Sequence, residues 1–232
     1  MRRRAAAAIA ATVALALAGC STPAVESDPA IEGARDAVEA YVDAIASLDL
    51  DAATSMTSPE SLVAPDGRTP PVDVTAALPQ AIAPIEEPWI AYEGIDFTRL
   101  DEDASDTTDV VWFTVSFTVD GLAGARTVEV TRIGDDPVDV ADWLVTGPLI
   151  VEAESFVDAT ITSSSFGGVG FDTVGDNAYQ PVWGYPGVYV HEATAFAADV
   201  PSGATASPIE VPIGVEVEPR WDESLRMLQL DG

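Results

Sequence analysis

From Val111 to Val119 the chain reads VWFTVSFTV, and every second side chain is large and apolar. Val111, Phe113, Val115, Phe117 and Val119 alternate with Trp112, Thr114, Ser116 and Thr118. A period of two sustained this long predicts an extended strand with one buried face and one half-wet face. Such a strand needs neighbours, because its backbone groups and its apolar face are both left unsatisfied alone. The first neighbour follows at once. Asp120-Gly121 supplies a two-residue turn, and residues 127–133 (TVEVTRI) return as the partner strand. A second turn, Gly134-Asp135-Asp136-Pro137, leads to Trp143-Leu144-Val145, a further strand ending at Gly147-Pro148. Upstream, Ile90, Tyr92, Ile95 and Phe97 mark one more strand from Trp89 onward.

What covers this sheet precedes it. Asp28-Pro29 reads as an N-cap followed by proline at the first helical position, where a missing N–H costs nothing. Ile31, Ala34, Val38, Tyr41, Val42, Ile45 and Leu48 then fall at three- and four-residue steps. Glu32, Asp36, Glu39 and Asp43 take the opposite side, and Arg35 is spaced to meet Glu39 one turn on. A short second helix runs from about Asp49 through Ala52, Ala53 and Met56 and stops at Ser58-Pro59. Residues 61–88, rich in Pro, Ala and Asp, read as loop with one short helix near residues 76–82. Helices followed by a curved antiparallel sheet predict an α+β unit over residues 29–152.

From about Ala153 the text changes. Residues 156–162, 168–174, 179–195 and 209–217 read as strands separated by Gly, Asp, Ser and Pro, and residues 225–230 as a last one. Val211, Ile213, Val215 and Val217 alternate with Glu210, Pro212, Gly214 and Glu216, which fits an edge strand with one wet face. Residues 153–232 are therefore expected to form a small all-β domain.

The N-terminus carries an address. Arg2-Arg3-Arg4 is a basic head, and residues 5–18 (AAAAIAATVALALA) are free of charge. This is the layout of a secretory signal, too short to span a bilayer comfortably as a mature helix. Leu17-Ala18-Gly19-Cys20 ends the run with the only cysteine of 232 residues, and it resembles the bacterial lipobox. The resemblance implies cleavage between Gly19 and Cys20, a diacylglycerol on the Cys20 sulfur and acylation of the new amino terminus. Two or three acyl chains anchor stably where one does not. Residues 20–28 then form a tether reaching roughly 25 Å in extended form.

Charge narrows the partners. The chain has 39 acidic and 10 basic residues, all ten of them arginine; without the three of the head, the body has a formal charge of −32. No basic stripe exists to displace counterions from phosphates, so nucleic acid is excluded as a partner. The same balance keeps the body off an anionic lipid surface. The lipid bilayer is met through acylated Cys20 alone, on the extracytoplasmic face of the cell membrane.

The order of elements, with the phrasing AVEAYVDAIASLDLDAATSM and a late DWLVTGPL strand, resembles the nuclear transport factor two-like cone of many secreted bacterial lipoproteins. Family enzymes place an Asp/His pair or similar groups inside the cone; residues 29–152 contain no histidine, so that chemistry does not carry over. YPGVYVHEATAF is similar to the PG-x-Y-x-V hairpin of the small β-sandwich modules that follow such domains, with SSSFGGVGF where an Asn-Gly hairpin usually precedes it.

Candidate chemistry is sparse. His191 is the only histidine; Glu192 and Asp199 are near it in sequence only, and alternation within YVHEAT suggests a surface or rim position. No Gly-x-Ser-x-Gly elbow occurs. One histidine with a lipidated Cys20 cannot build a zinc site. In residues 100–109 (LDEDASDTTD), Asp101, Asp103 and Ser105 have the spacing of calcium ligands, but Asp106 and Trp112 replace the required glycine and glutamate, so an acidic hairpin loop is expected. FGGVGF has no lysine and no following helix, which makes it a turn and not a phosphate cradle. Trp183, Tyr185 and Tyr189 are candidates for an exposed aromatic face. No catalytic residue, metal or cofactor is expected. The reading is a membrane-anchored lipoprotein that binds or scaffolds in the cell envelope, its partner an envelope protein or a small molecule. Against it stands a ligand-binding cone in which Tyr41, Phe113 and Phe117 enclose an apolar molecule, and, third, an enzyme using carboxylates alone. Small inward side chains would favour a pocket, and a filled interior would favour scaffolding.

Overall fold

In the computed structural model, which describes residues 28–64, 71–99, 107–173, 179–215 and 227–231, the first helix starts at the expected cap. The Asp28 carboxylate accepts from the Ala30 N–H at 2.9 Å, and Pro29 takes the first helical position. Helix α1 (Pro29–Ala46) buries Ile31, Ala34, Val38, Tyr41, Val42 and Ile45 along one stripe. It ends in a Schellman turn: the Asp49 N–H donates to the Ala44 carbonyl and the Leu48 N–H to the Ile45 carbonyl, with Leu48 at φ 60° where glycine is usual. Leu48 gains a compensating contact by packing on the core below. Asp49 then caps α2 (Leu50–Ser55), its carboxylate accepting from the Ala52 N–H at 3.0 Å.

A two-residue strand, β1 (Val72–Asp73), lies in the segment expected to be loop, and the short helix expected near residues 76–82 is a 3-10 helix over Thr75–Gln80. The long strands β2 (Glu86–Arg99), β3 (Thr107–Val119), β4 (Leu122–Arg132) and β5 (Trp143–Gly147) form one antiparallel sheet in that order. Val111, Phe113, Val115, Phe117 and Val119 are all buried, as their period demands. Asp120-Gly121 closes the hairpin with both residues at positive φ, 49° and 75°, and Val119 pairs Leu122 across it. In β2 the apolar spacing slips between Tyr92 and Ile95; the strand register shifts between Tyr92 and Gly94, which returns Ile95 to the packed face. Arg132 and the buried Asp109 pair at 2.8 Å, the one ion pair among the described residues.

The remaining strands form two further four-stranded sheets. β6 (Val151–Val157), β9 (Tyr179–Gly184) and β12 (Met227–Leu228) join β1 in the order β1-β9-β6-β12, with β1 parallel to β9 and β12 parallel to β6. β7 (Ile161–Phe166), β8 (Val169–Asp172), β10 (Gly187–Phe196) and β11 (Ile209–Ile213) make the antiparallel order β11-β10-β7-β8. Two expected strands are thus each divided between sheets. Residues 156–162 break at Asp158, whose carboxylate accepts from the Thr160 N–H and hydroxyl and turns the chain; these bonds hold its carboxyl below the usual carboxylate range. Residues 179–195 break at Tyr185-Pro186, between β9 and β10. The FGGV turn joins β7 to β8, with Gly167 and Gly168 at φ 53° and 82° and Phe166 paired with Val169.

The fold is therefore α+β with several antiparallel sheets. Its first core lies between the helices and the β2-β3-β4-β5 sheet, and Tyr185 and Val188 also pack into it. A second core of Val74, Ala77, Val151, Phe166, Val182, Tyr189, Val211 and Ile213 lies between the other two sheets. Val74 comes from the expected loop and Ala77 from the short helix within it. That loop is bound by backbone hydrogen bonds from Val74 to Trp183 and between Ala83 and Val188.

Candidate functional site

His191 projects from β10 into the second core and is fully buried, which corrects the expected surface or rim position. The reason is phase: Tyr189 and His191 share one face of β10, and both are buried. The Nδ1 atom of His191 lies 2.7 Å from the Ser155 hydroxyl on β6, and its Nε2 lies 3.0 Å from the Ser164 hydroxyl on β7. Phe166 and Phe171 flank the ring at 5.7 and 6.0 Å between centroids. Burial lowers the imidazole pKa to about 4, so it is neutral at pH 7. Glu192 on the same strand and Glu154 and Glu210 on β6 and β11 sit at exposed positions, and Asp199 is exposed in a turn. The serine–histidine pair has the contact distance of a nucleophile and its base. It lacks a carboxylate to orient the ring, and Ser155, Ser164 and His191 have 1, 0 and 0% exposure, so a substrate has no approach. Sequence reasoning named His191 but missed both serines; the run of three serines at residues 163–165, unusual for a buried strand, was the available signal.

The interior under the helices is occupied by side chains. Phe113 and Tyr41 are fully buried and Phe117 is 3% exposed, with Val38, Ile45, Val115 and Val130 around them. The Tyr41 hydroxyl accepts from the Leu149 N–H at 2.9 Å, and burial, with Tyr185 close by, raises its pKa well above the usual value. The Tyr185 hydroxyl is buried beside the hydroxyls of Thr54, Thr57 and Tyr41, with none of them in hydrogen-bonding geometry. Trp183, Tyr185 and Tyr189 do not form an exposed aromatic face. They are 8, 0 and 0% exposed: Tyr185 packs into the first core and Tyr189 into the second, and the Tyr189 hydroxyl donates to the Tyr185 carbonyl at 2.9 Å.

An open groove of about 400 Å³ runs between α1 and the start of β2. Arg35, Glu39, Val42 and Asp43 line it from the helix; Pro88, Trp89 and Ile90 line it from the strand. Trp89 is 65% exposed, the largest hydrophobic side chain left in water among the described residues. Arg35 does not meet Glu39: its guanidinium donates to the Ile90 carbonyl at 3.4 Å and stands 5.6 Å from the Phe113 ring centre. The sequence signal was the tryptophan in EEPWI, an aromatic set among acids and proline at a strand start.

Gly19, Cys20, Asp101, Asp103, Ser105 and Asp106 lie outside the described residues. Trp112 is described, and its indole N–H donates to Glu129 at 2.8 Å. Among the described residues no cluster of three or more His, Cys, Asp or Glu could hold a metal ion, and no helix is long and apolar enough to cross a membrane. Comparison with protein-family models, with curated proteins and with solved structures found no match.

Proposed function

We propose that this chain is a lipid-anchored lipoprotein of the extracytoplasmic face of the cell membrane, acting as a non-catalytic binding or scaffolding module of the envelope. In this reading residues 29–152 are a nuclear transport factor two-like cone and residues 153–232 a small all-β domain carried with it. The observation that carries the role is the filled interior. Tyr41, Phe113 and Phe117 occupy the space that a small apolar ligand or a substrate would need, so recognition is left to the outer surface. The inaccessibility of His191 supports the absence of acid–base chemistry. The anchor is supported by the sequence alone, through Leu17-Ala18-Gly19-Cys20 after a charge-free run.

Membrane fractionation with intact-mass spectrometry tests the anchor. The protein is expected to stay with membranes through high-salt washing, because burial of hydrocarbon is not screened, and to start at Cys20 with the added mass of a diacylglycerol. Cys20→Ala is expected to abolish the modification and to give either soluble or uncleaved chain. A mature protein with an unmodified Cys20 thiol would overturn the anchor.

A further inference from the structure

We propose that the groove between α1 and β2 docks a basic peptide segment of a partner protein, its arginine or lysine side chains held over Trp89 and against Glu39 and Asp43. This deepens the reading of the body as a binding module by giving the chemistry of its partner. Three observations converge. The first is Trp89, held outward at the edge strand of its sheet. The strand register shifts between Glu86 and Trp89, and Glu87 sits at φ 50°, so the backbone is distorted where the ring is presented. Second, Val42, Pro88 and Ile90 give the groove apolar walls against which the stem of a long cationic side chain can lie. Third, the charge is uncompensated. Arg35 is turned onto the Phe113 ring and the Ile90 carbonyl, and Glu39 and Asp43 stand exposed without an ion pair.

Charge also selects the occupant. A second copy of this chain would bring another −32 body, and an anionic lipid surface would be repelled in the same way. A guanidinium or ammonium group gains the face of Trp89 and two carboxylates together. Glu86 and Glu87, exposed beside Pro88, extend the acidic rim along the strand, which suits a segment with several basic residues better than a single cation.

The test titrates the whole chain, held in a non-ionic detergent micelle, with an acetylated and amidated tetra-arginine peptide while backbone amide shifts are followed. Shifts are expected to concentrate at residues 35–43 and 86–90. Affinity should fall about tenfold in Glu39→Gln with Asp43→Asn and about two- to fivefold in Trp89→Ala. It should hold in Asp120→Asn with Asp199→Asn, two exposed carboxylates elsewhere. Shifts scattered over the acidic surface, with both double variants weakened equally, would overturn the proposal in favour of unspecific polyanion behaviour. Tetra-glutamate binding at the same residues would make Arg35 the recognising group, and argininamide binding as tightly as the peptide would reduce the groove to a site for a lone cation; either result sinks the peptide site. None of these readouts depends on acylation of Cys20, so failure of the anchor and failure of the groove are separately visible.

Discussion

The two larger cores among the described residues are made of different material. Beneath the helices, Val111, Phe113, Val115, Val128 and Val130 meet Val38, Tyr41 and Ile45, and the polar groups buried there are the Tyr41 and Tyr185 hydroxyls, Thr57 and, at one end of β3, Asp109 paired with Arg132. Between the other two sheets, Phe166, Tyr189 and Val211 share their space with Ser155, Ser164, Gln180 and His191. The first core is defined by periodicity and tolerates whatever is apolar and of the right volume. The second holds a hydrogen-bonded unit that is satisfied only when β6, β7 and β10 are all in place, so it specifies which sheet faces which. Hydrophobic pattern builds one core; polar pairing decides the arrangement of the other.

The largest blow to the first core is Phe113→Ala, expected to cost about 3–5 kcal/mol through lost burial and the cavity left behind. The comparison is sharpened by where that loss is felt. Tyr185 and Val188 pack into the first core, and Val74 and Ala77 into the second, so the two are expected to unfold in one transition. Hydrogen exchange in the Phe113→Ala variant should therefore quicken in β6, β9 and β10 as well as in β3. Loss of protection confined to the helices and the first sheet would separate the cores.

Acid should discriminate in the opposite direction. The unfolded chain titrates His191 near its ordinary 6.5 and the folded one near 4, so between those values the unfolded state holds the extra proton. Stability from this residue is complete above about pH 6.5 and is lost as pH falls toward 4, by about 3 kcal/mol in all. Residues 28–64 and 107–149 contain no histidine, and the described groups facing His191 (Ser155, Ser164, Phe166 and Phe171) offer no carboxylate to offset its charge. His191→Phe should flatten that part of the melting-temperature profile against pH. A profile equally steep in the variant would move the acid sensitivity to the carboxylates.

Gly33 offers a smaller test with a sign that propensity alone would get wrong. Alanine in mid-helix ordinarily adds about 0.5–1 kcal/mol of stability over glycine. Here an added Cβ would stand 2.0 Å from the Pro137 carbonyl oxygen and 2.9 Å from the Trp143 indole nitrogen, which itself donates to that carbonyl at 3.1 Å. Gly33→Ala should lower stability by about 1–3 kcal/mol. An increase in melting temperature would mean that the loop over residues 134–140 yields without cost.

The same contrast explains what could be read in the sequence. The helices, the Asp28 and Asp49 caps and strands β3 to β5 are carried by local signals, because their spacing, capping and turn residues lie within a few positions of one another. The short helix near residues 76–82 is legible locally, whereas Val72, Asp73 and Ala83 read as loop because their partners, Val182, Trp183 and Val188, lie more than a hundred residues away. Period two likewise identifies a strand without saying to which sheet it belongs. It therefore ran β9 into β10 and gave no sign of the parallel pairs β1/β9 and β6/β12. His191 was misplaced for a related reason. Its own strand states that it shares a face with Tyr189, but only the distant Ser155 and Ser164 make that face a place where imidazole can be buried.

The smallest expected effects come from those two serines, and they probe the second core from its two sides. A neutral imidazole offers one donor and one acceptor, so one serine must give a proton to the ring and the other must take one. The shorter contact, 2.7 Å from Ser155, suits an O–H donor; the longer, 3.0 Å to Ser164, suits an N–H donor. The Ser155 hydroxyl is therefore expected to donate to Nδ1, and the Nε2–H to the Ser164 oxygen. Each serine-to-alanine change leaves one buried ring nitrogen without a partner and should cost about 1–2 kcal/mol. The costs should fall in different places. Ser155 reaches His191 from the opposing sheet, whereas Ser164 belongs to the strand paired with β10. Ser155→Ala should accordingly speed hydrogen exchange in β6 and β9, where the two sheets meet. Ser164→Ala should act first on β7 and β8 and leave β9 protected. Ring nitrogen chemical shifts give the independent reading: a protonated Nε2 and a bare Nδ1 in the unaltered protein. The reverse tautomer, with identical exchange patterns in the two variants, would remove the distinction between the sheet that holds His191 and the sheet that reaches it.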